Sequence, residues 1–198
     1  MNPRIKELLE KLEKLEDELR EELRQQSEQF QYQLEGTRVR FDRAVTDTHL
    51  KLKTGLLSWF QAASWRNILS TPFIYSVLVP LAFLDLAVTL FQVVCFRLYQ
   101  IPKVRRSKYI VLDRQYLSYL NGIEKFNCVY CGYANGVISY AREVTSRTEQ
   151  YWCPIKHARA IPGAHRRYNQ FLEYGDGEDL ETRLDRYREE LRREEGSR

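Results

Sequence analysis

At 198 residues the chain is long enough for one ordinary domain, but 29% charged residues around a single, strongly apolar segment mark a segregated molecule rather than a uniform globule. The net charge of +4 is unevenly spread, at −4 over residues 1–36, +4 over 37–67, −1 over 68–96, +9 over 97–167 and −4 over 168–198. Basic belts on both sides of the apolar segment favour an anionic membrane surface and make nucleic acid an unlikely partner, while nine glycines with no Gly-rich phosphate loop, Ser/His/Asp set or paired carboxylates point to a non-enzymatic chain.

Residues 1–36 are predicted to form a charged helical arm. Ile5, Leu8, Leu12, Leu15 and Leu19 follow the 3,4 spacing of a heptad seam, and Glu7–Lys11, Glu10–Lys14 and Glu16–Arg20 are favourable i,i+4 pairs. The seam slips at Leu23 and Gln26, so it makes either a short coiled coil or a single solvated helix. Residues 37–67 read as an amphipathic juxtamembrane helix carrying Val45, Leu52, Leu56, Trp59 and Phe60 toward the membrane.

Residues 68–102 form the membrane segment. From Thr71 to Phe96 the only charged side chain is Asp85, and that run as a helix extends about 37 Å against a hydrocarbon core of about 30 Å. Thr71-Pro72 suits an N-cap and first helical residue, Pro102 ends the helix, and Trp59, Trp65, Tyr75 and Tyr99 sit where interfacial aromatics belong. Arg97, Lys103, Arg105, Arg106 and Lys108 place the following region in the cytoplasm by the positive-inside rule. Either a single span or a re-entrant hairpin with its apex at Pro80–Asp85 satisfies the flanks. A carboxylate at mid-bilayer is costly, so Asp85 is expected to bond to Thr89 or across a homo-oligomer, with a proton or cation path as the other reading.

Residues 103–167 make a basic cytoplasmic Cys-rich region. Cys128-x2-Cys131-x21-Cys153-x3-His157 has the residue types of a tetrahedral Cys3His zinc site, and Gly132 after the second thiol suits a zinc knuckle. A helix expected over Val137–Tyr151 opposes this, since fifteen residues carry the chain about 22 Å. The halves then meet only if the loop at 132–136, which carries Gly132 and Asn135-Gly136, doubles back, or if two antiparallel chains share two sites. The alternatives are structural thiols or a redox pair of Cys128 and Cys131, which would make the chain a small membrane redox or metal-handling protein. His49 and His165 read as ordinary surface side chains and Cys95 as a packed thiol. Residues 168–198 form a charged C-terminal helical tail around Leu180, Leu184, Tyr187 and Leu191, with Asp179 as N-cap.

The motifs IPKVRR, FNCVYCGYANG and RTEQYWCPIKHA together resemble segments of a family of small, uncharacterised bacterial membrane proteins, over roughly Phe73 to Ala158. The resemblance implies a bacterial inner-membrane setting and carries over no catalytic residue. The sequence thus predicts a mostly α, membrane-anchored helical protein with charged helical arms at both ends. Its role would be that of a scaffold or adaptor with a structural zinc site at Cys128, Cys131, Cys153 and His157. Its expected partners are anionic lipid headgroups, a further copy of itself and an unidentified protein.

Overall fold

A computed structural model describes residues 3–28, 32–35, 38–41, 43–53, 55, 58, 61 and 64–194. The chain divides into two compact units, Met1–Ala63 with Leu112–Val129 and Ser64–Val111 with Tyr130–Arg198. It is mostly helical, in the order α1 (Pro3–Glu28), β1 (Tyr32–Glu35), β2 (Arg38–Phe41), α2 (Arg43–Lys51), α3 (Trp65–Tyr99), α4 (Gly122–Trp152) and α5 (Leu180–Arg193).

In the first unit, α1 is a helix over Pro3–Glu28, but the arm predicted over residues 1–36 is not helical throughout, because β1 falls within it. Lys11 pairs with Glu7 as expected, and Arg20 pairs with Asp17. Leu8, Leu12, Leu15 and Leu19 are 50–62% exposed, so the seam is unburied in the single chain. The helix expected over residues 37–67 is not a single element. β1 and β2 form an antiparallel pair with Glu35 opposite Arg38, followed by the nine-residue α2. Leu56, Trp59 and Phe60 lie outside the described residues. His49 is not a surface side chain, because its ring lies edge-on between Phe41 and Tyr119 at 5.2 and 5.1 Å.

At the start of α4, Asn121 Oδ1 accepts the N–H groups of Ile123 and Glu124, and Glu124 Oε2 accepts that of Asn121. This reciprocal capping box satisfies orphan donors and starts the helix fifteen residues before the expected Val137.

In the second unit, α3 is a 35-residue helix, long and apolar enough to cross a membrane. It runs through Pro80 without an apex, which removes the hairpin reading, and it begins at Trp65, six residues before the expected cap. Thr71 does not cap. Its hydroxyl donates to Asn67 O one turn back, and Pro72 lies inside the helix. After a π-turn at Gln92–Phe96 the helix stops where Gln100 takes φ 58° and the Ile101 N–H donates to Phe96 O at 2.8 Å. That is a Schellman closure, with Ile101 and Phe96 both in the core and Pro102 barring continuation.

The core of this unit joins Phe96, Ile101, Val104, Tyr140, Val144 and Leu191. α5 therefore belongs to the packed structure rather than to a free tail. Leu184, Tyr187 and Leu191 are buried, as their spacing anticipated. Asp179 holds the N-cap position in a left-handed conformation but makes no capping bond through its side chain.

Candidate functional site

Within α3 the polar residues Asp85, Thr89 and Gln92 recur at steps of four and three, which places them on one helix face. Leu81, Asp85, Gln92 and Phe96 are the buried residues of the helix, so this face is turned into the unit. Opposite it lies an exposed apolar surface, with Val79 at 74%, Phe83 at 73% and Leu98 at 72% exposure.

Every polar group on the inward face has a partner in the same chain. Arg106 Nε donates to Asp85 Oδ1 at 2.9 Å and Nη2 to Oδ2 at 2.6 Å, a two-point grip, and the Tyr133 hydroxyl donates to Oδ2 at 2.9 Å. Gln92 acts on the Val104 backbone as a neighbouring strand would. It accepts the Val104 N–H at 2.7 Å and donates to the Val104 carbonyl at 3.2 Å. The same amide donates to Tyr140 Oη at 2.8 Å, and that hydroxyl lies 3.5 Å from Thr89 Oγ1. The segment after Pro102 is thereby fastened along α3 without a sheet. Asp85 bonds to Arg106 and Tyr133, so its charge is neutralised within one chain and no second copy is needed to bury it. This seam is a clamp that fastens the chain after Pro102 to α3.

Close approach completes the clamp. A Cβ at Gly136 would stand 2.8 Å from both Ile110 Cα and Tyr109 O, so only glycine lets α4 lie this near the Tyr109–Ile110 backbone. Asn135 does not turn the chain either, since its Nδ2 donates to Cys131 O one helical turn back.

The expected Cys3His set is not brought together. Cys131 lies inside α4, whereas Cys153 follows its last residue, so the separation along the axis is about 33 Å at ~1.5 Å per residue. A common zinc would need sulfurs within about 4 Å. The cause is that Gly132, Asn135 and Gly136 are helical, and no knuckle forms. Among the described residues no group of three or more His, Cys, Asp or Glu side chains stands close enough to hold a metal. Cys128 shares the same helix as Cys131. His157 stacks on Tyr168 at 5.9 Å, and its backbone N–H donates to the Tyr168 hydroxyl at 2.7 Å. Partial desolvation, and then the charge of Glu149, hold the Cys153 thiol above its usual range.

His165 is not a free surface residue. Its Nδ1 accepts the Tyr168 N–H at 3.2 Å, which leaves Nε2 as the protonated nitrogen donating to Glu149 Oε2 at 2.8 Å. Both ring nitrogens are therefore occupied. A second polar cluster fixes α5. Glu143 accepts from Arg147 Nε at 2.9 Å and from Arg167 Nη2 at 3.0 Å, while Arg167 also donates to Gln150 and to Glu194 just beyond α5. Burial alone would raise the Glu143 carboxyl, but the bond from Arg147 and the charge of Arg167 outweigh it and hold it below its usual range.

Sequence reasoning singled out Asp85 and its neighbour Thr89 but not the distant partners Arg106 and Tyr133. Arg106 was legible only as one member of a basic belt, and Gln92, Tyr133 and Tyr140 not at all. The available signal was the Asp85–Thr89–Gln92 spacing in an otherwise apolar run, which marks a face that must meet polar groups. Comparison with family models, curated proteins and solved structures finds no match for this chain.

Proposed function

We propose that this chain is a non-enzymatic, membrane-anchored scaffold, with α3 as its anchor and α1 as the arm that engages a helical partner, in the first instance another copy of the chain. The observation that carries this reading is the two-sidedness of α3. Its polar face is turned inside the unit while Phe73, Val79 and Phe83 remain exposed, an apolar surface of the kind a bilayer covers. The closed seam supports a structural task over a chemical one, and the unburied leucine seam of α1 supports assembly. The basic residues after α3 favour a cytoplasmic location for the region that follows, at a bacterial inner membrane.

The test is chemical crosslinking of the full chain in mild detergent, beside a Leu12→Glu/Leu15→Glu variant. Crosslinked oligomers should form with the native sequence and be lost in the variant. Oligomers that persist unchanged would remove α1 from the assembly, and a native chain that remains monomeric would remove self-assembly altogether.

A further inference from the structure

The anchor is longer than a bilayer core requires. At ~1.5 Å per residue its 35 residues extend about 52 Å, against a hydrocarbon thickness of about 30 Å. The excess, about 22 Å or roughly fifteen residues, matches the stretch from Asp85 to Tyr99. From Trp65 to Asp85 the helix rises about 30 Å, and Trp65 at its start is an aromatic suited to an interface.

The segment after the Schellman turn brings charge to the same level, whereas α4 stays uncharged until Arg142, past Tyr133 at that level. The chain after the Schellman turn runs back along α3, with Ile101 bonded to Phe96, Val104 to Gln92 and Arg106 to Asp85. α4 runs alongside in the same direction as α3, with Tyr130 donating to the Ile74 carbonyl, Tyr133 bonded to Asp85 and Tyr151 stacked on Tyr99. Before Asp85, α3 is uncharged from Asn67 to Leu84, and α4 is uncharged from Tyr130 until Arg142. Beyond Asp85 lie Arg97, Lys103, Arg105, Arg142 and Glu143, and at its level lie Arg106 and, two residues on in the same short helical turn, Lys108. Four bases at hydrocarbon depth would each cost about 2.5–3.5 kcal/mol, whereas at the headgroup they are favourable. Lys103, Arg105 and Lys108 are exposed and form no ion pair with a described residue. Arg106 spends Nε and Nη2 on Asp85, with its side chain 46% exposed, which leaves Nη1 for another acceptor.

Building on the anchor reading, we propose that the hydrocarbon ends at the level of the Asp85–Arg106 pair, and that Lys103, Arg105, Arg106 and Lys108 form a binding site for anionic phospholipid headgroups there. Asp85 serves as the fixed counter-charge that aims Arg106 along the interface. The turns of α3 after Thr89 then lie in the headgroup layer and beyond it, beside the basic segment.

Depth and lipid preference are tested separately, on the full chain with its four native cysteines replaced by serine. Val79→Cys or Leu98→Cys, both at exposed positions, is labelled with a bimane probe and reconstituted into vesicles of equal parts phosphatidylcholine and phosphatidylglycerol containing lipids brominated at mid-chain. Quenching is expected at Val79 and its loss at Leu98. Equal quenching at both overturns the boundary while leaving the anchor reading in place, and no quenching at either overturns both. In mild detergent, short-chain phosphatidylglycerol should raise the melting temperature of the native sequence and phosphatidylcholine should not. Lys103→Gln, Arg105→Gln and Lys108→Gln should each weaken the phosphatidylglycerol affinity about fivefold. Equal shifts with both lipids, or an affinity unchanged in the triple variant, would overturn the headgroup site.

Discussion

Gly136 offers a substitution whose sign separates the packing account from simple helix propensity. In an exposed helix interior Gly→Ala stabilises by about 1 kcal/mol. Here the new methyl would stand 2.8 Å from Ile110 Cα and Tyr109 O and 3.0 Å from Ile110 Cγ1, contacts dominated by backbone rather than by the far end of a flexible side chain. Relief requires the segment to back away from α4, yet Gln92 and Asp85 fasten that segment at Val104 and Arg106. Overpacking of this kind costs about 1–3 kcal/mol, and at the upper end, set against the propensity gain, the net loss for Gly136→Ala is about 1–2 kcal/mol. At about 2–4 °C per kcal/mol for a chain of this size, the melting temperature should fall by about 2–8 °C. Thermal unfolding in mild detergent followed by circular dichroism reads this directly, with Gly136→Val falling further and Gly122→Ala, where a methyl meets nothing within 4 Å, near neutral or slightly higher. A Gly136→Ala variant that melts above the native sequence would refute the close approach.

Asp85→Asn should destabilise by about 1–3 kcal/mol, below the 3–5 kcal/mol of a fully buried pair because Arg106 is half exposed. Combined with Arg106→Gln the losses should fall short of additive by more than about 0.5 kcal/mol, and strict additivity would separate the two side chains. Glu143 has its carboxyl held below the usual range, so its contribution is complete above the ordinary carboxylate range and is lost as pH falls through the folded value. Melting temperature against pH should therefore decline less steeply on the acid side in Glu143→Gln than in the native sequence, and parallel curves would contradict the Arg147–Glu143–Arg167 network.

What the sequence disclosed depended on how local each signal is. The apolar run of α3, the leucine spacing of α1 and the Leu184–Tyr187–Leu191 stripe of α5 are periodicities within one element, and all three elements form. Asp85 was visible as an anomaly, yet its partners lie 21 and 48 residues away, where no periodicity connects them. The segment around Cys128 and Cys131 misled for a related reason. Glycine signals a turn only when the chain needs left-handed backbone, and at Gly136 it is required instead by a neighbouring backbone that a single sequence does not reveal. Once α4 starts at the Asn121–Glu124 capping box, nothing interrupts it before Pro154, and the metal pattern is drawn apart along its length. The β1–β2 pair was missed because a short run with charged residues such as Glu35, Arg38 and Arg40 reads as a helix as readily as a strand.

Alkaline extraction of the reconstituted full chain followed by flotation reads whether α3 anchors the chain in a bilayer through the face opposite its polar seam. The protein should stay with the floating vesicles after carbonate treatment, because the apolar face of α3 is held by lipid rather than by charge. Quantitative release into the soluble fraction would contradict it.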